Sequence, residues 1–247
     1  MPESTGKTFI ERTKHHYLTA PDQRRGLPQP PLELPYDQNR PAIDLPDPQT
    51  CPVDATDVRE AIQVRRSVRQ YAPTSLSPHE LSYLLWCAQG VKEVMPGHAT
   101  LRTVPSAGAR HAFETYVLVN RVADIAPGLY RFAAIEHKLV QQPAGPDIAA
   151  QITAGCFGQR FVKHSAATFI WTAVPYRMNW RYGERGYRYL HLDVGHACQN
   201  LYLSAEAIGC GVCAIAAFDD DQMDRLLGID GDSQFTIYVA AVGKKQT

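Results

Sequence analysis

The chain has 247 residues, 45% of them hydrophobic, which is enough to bury one sizeable core and exceeds what a small binding module needs. Its 25 basic and 25 acidic residues cancel, so no overall field draws it to nucleic acid or to an anionic membrane. Residues 1–10 are polar, and nowhere do about 18 apolar residues follow one another as a membrane-spanning helix requires. These features predict a single elaborated domain in the cytoplasm.

The first 52 residues, here called the arm, are rich in proline. The prolines are expected to exclude regular helices and sheet ladders, which predicts an extended conformation. Two interpretations stay open: a disordered tail, or a segment that packs against the body or a partner subunit. Apolar residues between the prolines favour packing, since a disordered tail is poorer in such side chains. These residues are Leu27, Leu32, Leu34, Tyr36, Ile43 and Leu45.

The folded part, residues 53–247, begins with a predicted helix in which Val58, Ala61 and Ile62 have helical spacing. The helix leads into Arg65-Arg66-Ser67-Val68-Arg69, here called the arginine cluster. Three guanidinium groups and a hydroxyl within five residues suit a phosphate dianion, because they offer charge-assisted hydrogen bonds to its oxygens. The alternative is that two of the arginines are solvated surface charges.

A second helix is predicted after Ser77, where Ser77-Pro78-His79-Glu80 forms a capping box, and it ends at Gly90. Small residues then make a loop at 102–111, in which backbone amides can approach a flat ligand closely. The alternative for this loop is an ordinary turn. The pattern next predicts strands at 115–120, 129–135 and 138–141, the last two as a hairpin, and a short helix at 148–154.

The second half contains a continuous apolar run at 168–174, typical of a strand that is covered on both faces. A polar, aromatic stretch at 176–189 precedes a long helix, whose apolar residues recur at helical spacing up to Gly209. This helix is either the spine of the core or a dimer interface. A strand at 212–218, a capped helix at 219–227 and a last strand at 235–242 complete an α/β or α+β domain.

The six cysteines are scattered and lack the density of a secreted disulfide framework, so buried free thiols are expected. Cys210 and Cys213 have C-x-x-C spacing, which leaves a thiol oxidoreductase as one alternative. His191, Asp193 and His196 lie close together on the long helix, but their spacing does not put all three on one face. The sequence therefore predicts no metal site.

Several motifs in order resemble the FMN-dependent nitroreductase superfamily over residues 54–245. They are the arginine cluster with Gln70-Tyr71, Pro105-Ser106-Ala107-Gly108-Ala109, Gly209-Cys210-Gly211-Val212, Ala217-Phe218-Asp219 and Val242-Gly243-Lys244. Two further segments resemble the SagB-type branch, which includes oxidases of peptide thiazolines and oxazolines. They are residues 182–189 and 193–201. The resemblance implies an α+β fold with a mostly antiparallel sheet flanked by helices, a long dimer-interface helix, and a homodimer with two FMN sites.

The resemblance also implies which residues bind FMN. Arg65, Arg66, Ser67 and Arg69 would hold its phosphate and ribityl chain, assisted by Lys244 or Lys245. The loop that contains Pro105, Ser106, Ala107 and Gly108 is here called the small-residue loop. In the homodimer, the small-residue loop of one subunit would approach the flavin ring bound by the other. The backbone amides of Ala216 and Ala217 would lie near the flavin N5 atom.

In the azoline-oxidising branch a Lys-Tyr pair handles protons, and the matching residues here are Arg181 and Tyr182, the candidate catalytic pair. An arginine side chain cannot act as a base at neutral pH. Either Tyr182 acts alone, or the substrate differs, or the matching residues lie a few positions away.

Besides the thiol oxidoreductase, three flavin-dependent functions remain open on the sequence. One is oxidation of a small molecule or an azoline-containing peptide, with oxygen as co-substrate. The second is reduction of nitro compounds or quinones by NAD(P)H. The third is a non-catalytic flavin-binding subunit of a biosynthetic complex, in which the arm contacts a partner.

Overall fold

The computed structural model describes residues 4–246, and its centre is a seven-stranded sheet in which every pairing of neighbouring strands is antiparallel. The strands lie in the order β1-β6-β5-β4-β7-β9-β8, while β2 and β3 form a separate hairpin. Their bounds are β1 Ala42–Asp44, β2 Val91–Met95, β3 Ala99–Arg102, β4 Phe113–Val119, β5 Gly128–Ala133, β6 Lys138–Gln141, β7 Ala167–Ala173, β8 Cys210–Ile215 and β9 Phe235–Lys244.

Helices cover both faces of this sheet. Leu84 of α3 and Leu201 of α7 belong to the core on one face, and Ile152 of α4, Val162 of α5 and Met223 of α8 belong to the core on the other. The helices are α1 Thr5–Arg12, α2 Val58–Val64, α3 Pro78–Gln89, α4 Ile148–Gly155, α5 Phe161–His164, α6 Pro175–Tyr182, α7 Gly186–Glu206 and α8 Asp220–Leu227. This is the α+β architecture that the sequence predicted. No described helix has the length and apolarity needed to cross a membrane.

Strand β7 shows how the apolar pattern produces the two cores. All seven of its residues are buried, as the uninterrupted apolar run predicted. Phe169 and Trp171 point into the core that α3 and α7 cover, whereas Ile170 points into the opposite core, because successive strand residues face opposite sides. A strand buried on both faces between β4 and β9 therefore anchors the sheet.

Local capping sets the ends of two helices as the sequence predicted. The Ser77 hydroxyl accepts the backbone N–H of Glu80, and the Glu80 carboxylate accepts the backbone N–H of Ser77, which completes the capping box of α3. Asp219 caps the start of α8, and Gly228 ends it in the left-handed conformation. The predicted helix at 219–227 is thus confirmed, whereas the strand predicted at 212–218 lies at Cys210–Ile215.

The polar, aromatic stretch before the long helix is itself mostly helical, which the sequence analysis did not predict. Pro175 occupies the first turn of α6, where a missing N–H costs nothing. Gly183, with φ 54° and ψ −150°, ends α6, and α7 begins at Gly186. Leu190, Leu201 and the other buried residues of α7 face the core, so this helix is the spine of the fold.

The described part of the arm, residues 4–52, lies against the body. The prediction that its prolines exclude regular structure is wrong at two places, α1 and β1. Helix α1 precedes the proline-rich part, and β1 lies at the edge of the sheet, where a proline next to the strand removes no ladder bond. Strand β1 pairs with β6, and Leu45, just beyond it, is 9% exposed and part of the core.

Candidate functional site

The backbone fixes the arginine cluster along the edge of the sheet. Arg65 is the C-terminal cap of α2, and the Val68 N–H donates to the Val212 carbonyl of β8 at 2.9 Å. Ser67 forms a parallel bridge with Val212, so the cluster runs beside the outer edge of β8. A side chain at residue 211 would collide with Val68, since a Cβ there lies 2.6 Å from the Val68 Cβ. Gly211 thus permits the close approach.

Tyr202 of α7 organises the side chains of this cluster. Its hydroxyl lies 3.0 Å from the Ser67 hydroxyl, and the Arg65 guanidinium carbon lies 5.1 Å from its ring centre. The Tyr202 oxygen also accepts the Ala214 N–H at 2.9 Å, so its own proton can go to Ser67. That arrangement leaves the Ser67 proton free for a ligand oxygen. Tyr202 was not predicted from the sequence, where the one available clue was that a buried tyrosine hydroxyl needs a partner.

The charges of the cluster are available to a ligand. Arg66 and Arg69 are exposed and Arg65 is half-buried. Within residues 4–246, none of these three guanidinium groups forms a salt bridge with a carboxylate. Free guanidinium groups beside a hydroxyl match the acceptor oxygens of a phosphate monoester. The donor set therefore fits the phosphate of FMN.

The two lysines at the end of β9 are engaged within the chain. Lys244 forms a salt bridge with Glu80 and donates to the Ile208 carbonyl at 2.8 Å. Lys245 forms a salt bridge with Glu206. Both ammonium groups already have a carboxylate partner, unlike those of the arginine cluster.

Ala216 and Ala217 follow the end of β8 and are exposed. With a rise of about 3.3 Å per residue, Ala216 lies roughly 13 Å along the strand direction from Val212, the partner of Ser67. Their small side chains leave the backbone open to a flat ligand. One edge of the sheet thus presents anion-binding side chains at one end and open backbone at the other.

The small-residue loop lies next to the candidate catalytic pair of the same chain. Gly108 has φ 58°, and a Cβ at this position would lie 2.5 Å from the Tyr182 hydroxyl and 2.8 Å from the Arg181 Nε. The Ala107 N–H donates to the buried carboxylate of Asp193 on α7 at 3.0 Å. Burial raises the pKa of Asp193, while hydrogen bonds from Ser106 and Ala107 oppose that rise. Asp193 therefore anchors the loop, a role that the sequence analysis did not assign.

One chain does not bring the small-residue loop to the arginine cluster. The loop contacts α7 at Asp193, and the cluster contacts it at Tyr202. Nine helical residues correspond to about 14 Å and about two and a half turns, so the two contacts lie on opposite sides of α7. A site that combines both segments requires a second copy of the chain.

The two C-x-x-C thiols do not form a redox pair. Cys210 and Cys213 are both buried, and burial raises the pKa of Cys210 to about 12 and also raises that of Cys213. They lie three residues apart on β8, so their side chains point to opposite faces of the sheet. This geometry disfavours the thiol oxidoreductase alternative.

Comparison with known proteins identifies the family. Residues 62–244 match the sequence pattern of the family described as "Nitroreductase family". The chain belongs to the nitroreductase family. Members of this family are in general flavin-dependent oxidoreductases and are commonly dimeric.

Two relatives of this nitroreductase-family chain are curated proteins. "Putative nitroreductase MJ1384" of Methanocaldococcus jannaschii is 32% identical over 203 residues, which covers 82% of this chain and 96% of the relative. Trifolitoxin-processing protein TfxB of Rhizobium leguminosarum bv. trifolii is 27% identical over 201 residues, which covers 78% of this chain and 53% of TfxB. The chain thus spans about half the length of TfxB.

Solved structures share the fold. A nitroreductase-like structure from Anabaena variabilis has a TM-score of 0.69 at 27% identity. The match covers 85% of the present chain and 42% of the Anabaena chain. A second match is a chain of the E. coli microcin synthetase McbBCD complex with truncated pro-MccB17 bound. It has a TM-score of 0.60 at 18% identity, and the match covers 85% of the present chain and 80% of the synthetase chain. A Desulfovibrio desulfuricans structure in complex with FMN has a TM-score of 0.55, at 17% identity and coverages of 78% and 88%. The last two show the fold alone.

Proposed function

We propose that this nitroreductase-family protein is an FMN-dependent oxidoreductase of the SagB type, which oxidises an azoline-containing peptide or a related small molecule. The observation that carries the proposal is the arginine cluster at the edge of β8, with guanidinium groups that have no carboxylate partner within residues 4–246. Guanidinium groups without a carboxylate partner, set beside a hydroxyl, can give charge-assisted hydrogen bonds to the oxygens of an anion.

The residues divide the work of holding FMN. In this proposal Arg65, Arg66 and Arg69, with the Ser67 hydroxyl, would bind the phosphate and ribityl chain, assisted by Lys244 or Lys245 at the C-terminal end of β9. Ala216 and Ala217 leave backbone amides near the ring, and a partner's small-residue loop covers it. When bound, the flavin supplies acceptance of a hydride from the substrate.

Tyr182 handles the substrate proton in this proposal. Its hydroxyl lies at the small-residue loop, next to Gly108, which is where the loop meets the flavin ring in the family resemblance. Arg181 stays a cation beside it, with its guanidinium carbon 5.7 Å from the centre of the Tyr182 ring. The arginine orients the phenol or the substrate, and the proton moves at the phenol oxygen.

The SagB-type assignment rests on the relatives. TfxB is named for the processing of trifolitoxin, and the microcin synthetase complex, one chain of which shares the fold, was solved with truncated pro-MccB17 bound. The name of TfxB supports a substrate of the processing kind, and the synthetase chain supports the shared fold.

A titration with FMN and with riboflavin tests the cofactor, because riboflavin lacks only the phosphate. The wild type binds FMN much more tightly than riboflavin, as followed by quenching of flavin fluorescence. Arg66→Gln weakens FMN binding about tenfold or more and leaves riboflavin binding unchanged, since it removes a charge-assisted hydrogen bond. Arg59→Gln, on the exposed surface of α2, is the matched control. Equal affinity for both flavins in the wild type would contradict the proposal.

The second candidate, NAD(P)H-dependent reduction of nitro compounds or quinones, is favoured by Arg181 at the position of the branch lysine. The name of the Methanocaldococcus relative supports the same reaction. Anaerobic mixing of the FMN-loaded protein with NADPH bleaches the flavin absorbance if this candidate is correct. A flavin that stays oxidised removes it.

A non-catalytic flavin-binding subunit is distinguished by Tyr182→Phe. The replacement removes the phenol oxygen and keeps the ring that packs on Tyr189, whose centre lies 4.9 Å away. An oxidoreductase that uses this phenol loses turnover while it keeps FMN affinity. A carrier subunit has no turnover to lose.

A further inference from the structure

A cavity of about 660 Å³ lies between the arm and the junction of α6 and α7. Arm residues 15–24 form one wall, and the opposite wall comes from the α6–α7 junction. The side chains that matter for its chemistry are His15, Arg24, Arg181, Tyr182, Arg185 and Tyr189. Its volume is suited to a small-molecule ligand.

The lining carries a marked excess of positive charge. It includes three arginines, and none of the described residues that line it is an aspartate or a glutamate. Within residues 4–246, neither Arg24 nor Arg181 forms a salt bridge. The neighbouring carboxylate of Asp22 is already used, since Arg25 binds it at 2.9 Å and the Tyr176 hydroxyl donates to it at 3.1 Å.

The third arginine is part of the wall. Arg185 donates to the Tyr189 hydroxyl at 2.8 Å and to the Thr13 carbonyl at 2.9 Å, which ties α7 to the arm. Tyr182 and Tyr189 meet edge to face, with their planes at 83°, and form an aromatic surface inside the cavity. The cavity thus offers two free guanidinium groups above an aromatic wall.

We propose that this cavity binds the substrate and that the substrate is a carboxylate that bears an unsaturated, oxidisable ring of the azoline kind. Guanidinium groups match a carboxylate in shape and charge, and the tyrosine pair packs on an unsaturated ring. Arg181 and Tyr182 also contact Gly108, so a carboxylate held by Arg24 and Arg181 positions its ring beside the Tyr182 phenol. This inference rests on the proposed function, since it assigns the substrate class of the same site.

Calorimetric titration of the purified full-length protein with benzoate and with benzamide tests the charge preference, because benzamide is the neutral analogue of the same shape. The wild type binds benzoate at least tenfold more tightly than benzamide. Arg24→Gln weakens benzoate binding about tenfold and leaves benzamide binding unchanged. Arg181→Gln does the same as a second variant. Arg25→Gln, one residue away on the arm but paired with Asp22, keeps the wild-type preference.

Equal binding of benzoate and benzamide, or no benzoate binding by the wild type, would overturn the inference. A loss of FMN affinity in Arg24→Gln as large as the loss of benzoate affinity would also overturn it, because the cavity would then belong to the cofactor. A wild type that prefers benzoate but does not bind FMN supports the cavity assignment and refutes the proposed function. A wild type that binds FMN but shows no preference for benzoate refutes the cavity assignment and leaves the proposed function standing.

Discussion

Gly108 controls the position of Tyr182 through the absence of a side chain. Its φ of 58° is unfavourable for other residues, and the place of a Cβ is taken by the Tyr182 hydroxyl. We expect Gly108→Ala to lower the free energy of unfolding by more than the roughly 1–2 kcal/mol that a left-handed backbone costs. Gly209→Ala is the control, because φ is 64° there and nothing lies within 4 Å of the added Cβ. Urea denaturation measures both losses, and equal losses would show that Tyr182 does not occupy this space.

His111 makes the protein sensitive to acid. Burial, with the charges of Arg102 and Arg110, lowers the pKa of His111 to about 3, whereas the unfolded chain takes up the proton near pH 6.5. Between these values the unfolded state binds more protons, so stability falls as the pH falls from about 6.5 towards 3, by at most about 1.4 kcal/mol per pH unit from this group. Because φ is 42° at this position, His111→Asn is a tolerated replacement.

The expected result is a flatter dependence of unfolding free energy on pH in His111→Asn than in the wild type, measured by urea denaturation between pH 4 and pH 7. Above pH 7 the two slopes converge, because the His111 imidazole is then neutral in both the folded and the unfolded wild-type protein. Parallel curves below pH 6 would mean that His111 titrates normally in the folded state.

At the scale of elements, the arm behaves as part of the domain that it covers. The Leu34 N–H donates to the Glu114 carboxylate at 2.8 Å, and Arg131 donates to the Leu34 carbonyl at the same distance. Glu114 in turn pairs with Arg177, and both side chains are buried. The arm thus adds a hydrogen bond to the carboxylate of a buried ion pair, which is costly to expose.

Replacement of Leu45 in the arm tests this packing. We expect Leu45→Ala to lower the free energy of unfolding by about 2–4 kcal/mol, as for a leucine in any core. Leu27→Ala, in the same arm but 36% exposed, costs clearly less. Thermal or urea denaturation of the two variants gives the comparison. A small loss for both would mean that the arm detaches before the domain unfolds.

The sequence predicted those elements whose start and stop signals lie close together in the chain. Ser77 and Glu80 are three residues apart, and Asp219 and Gly228 lie at the two ends of one helix, so their roles were readable from spacing. The helix α6 was missed because it is short and mostly polar, and its buried face includes an arginine, Arg177, beside Met178 and Trp180. The strand β1 was missed because its pairing with β6 joins residues that are far apart in the chain.

The site was predictable to the same extent. The arginine cluster was visible because its residues are consecutive. Tyr202 and Asp193 were not, since their contacts with Ser67 and Ala107 span 135 and 86 residues and depend on how α7 packs. Arg24 was hidden for the same reason, because only the fold of the arm brings it near Arg181.

For the whole molecule, the outer surfaces of α2 and α7 predict a homodimer. Val58, Ile62 and Leu192 are 67%, 57% and 59% exposed, and an interface between two copies would bury these large apolar side chains. We expect Ile62→Asp combined with Leu192→Asp to convert the protein to a monomer in light scattering. Phe157→Asp is the control, because Phe157 is equally exposed but follows α4 on the other side of the sheet. A dimer that survives the double replacement would place the interface elsewhere.

Helix α7 carries Asp193 and Tyr202 on opposite sides, so one chain supplies only half of each proposed flavin site. Occupancy then follows mass action in protein as well as in cofactor: dilution separates the halves and releases the flavin, while added flavin draws the chains together. An affinity for FMN has a meaning for this protein only at a stated protein concentration, and a colourless dilute sample can regain its colour on concentration.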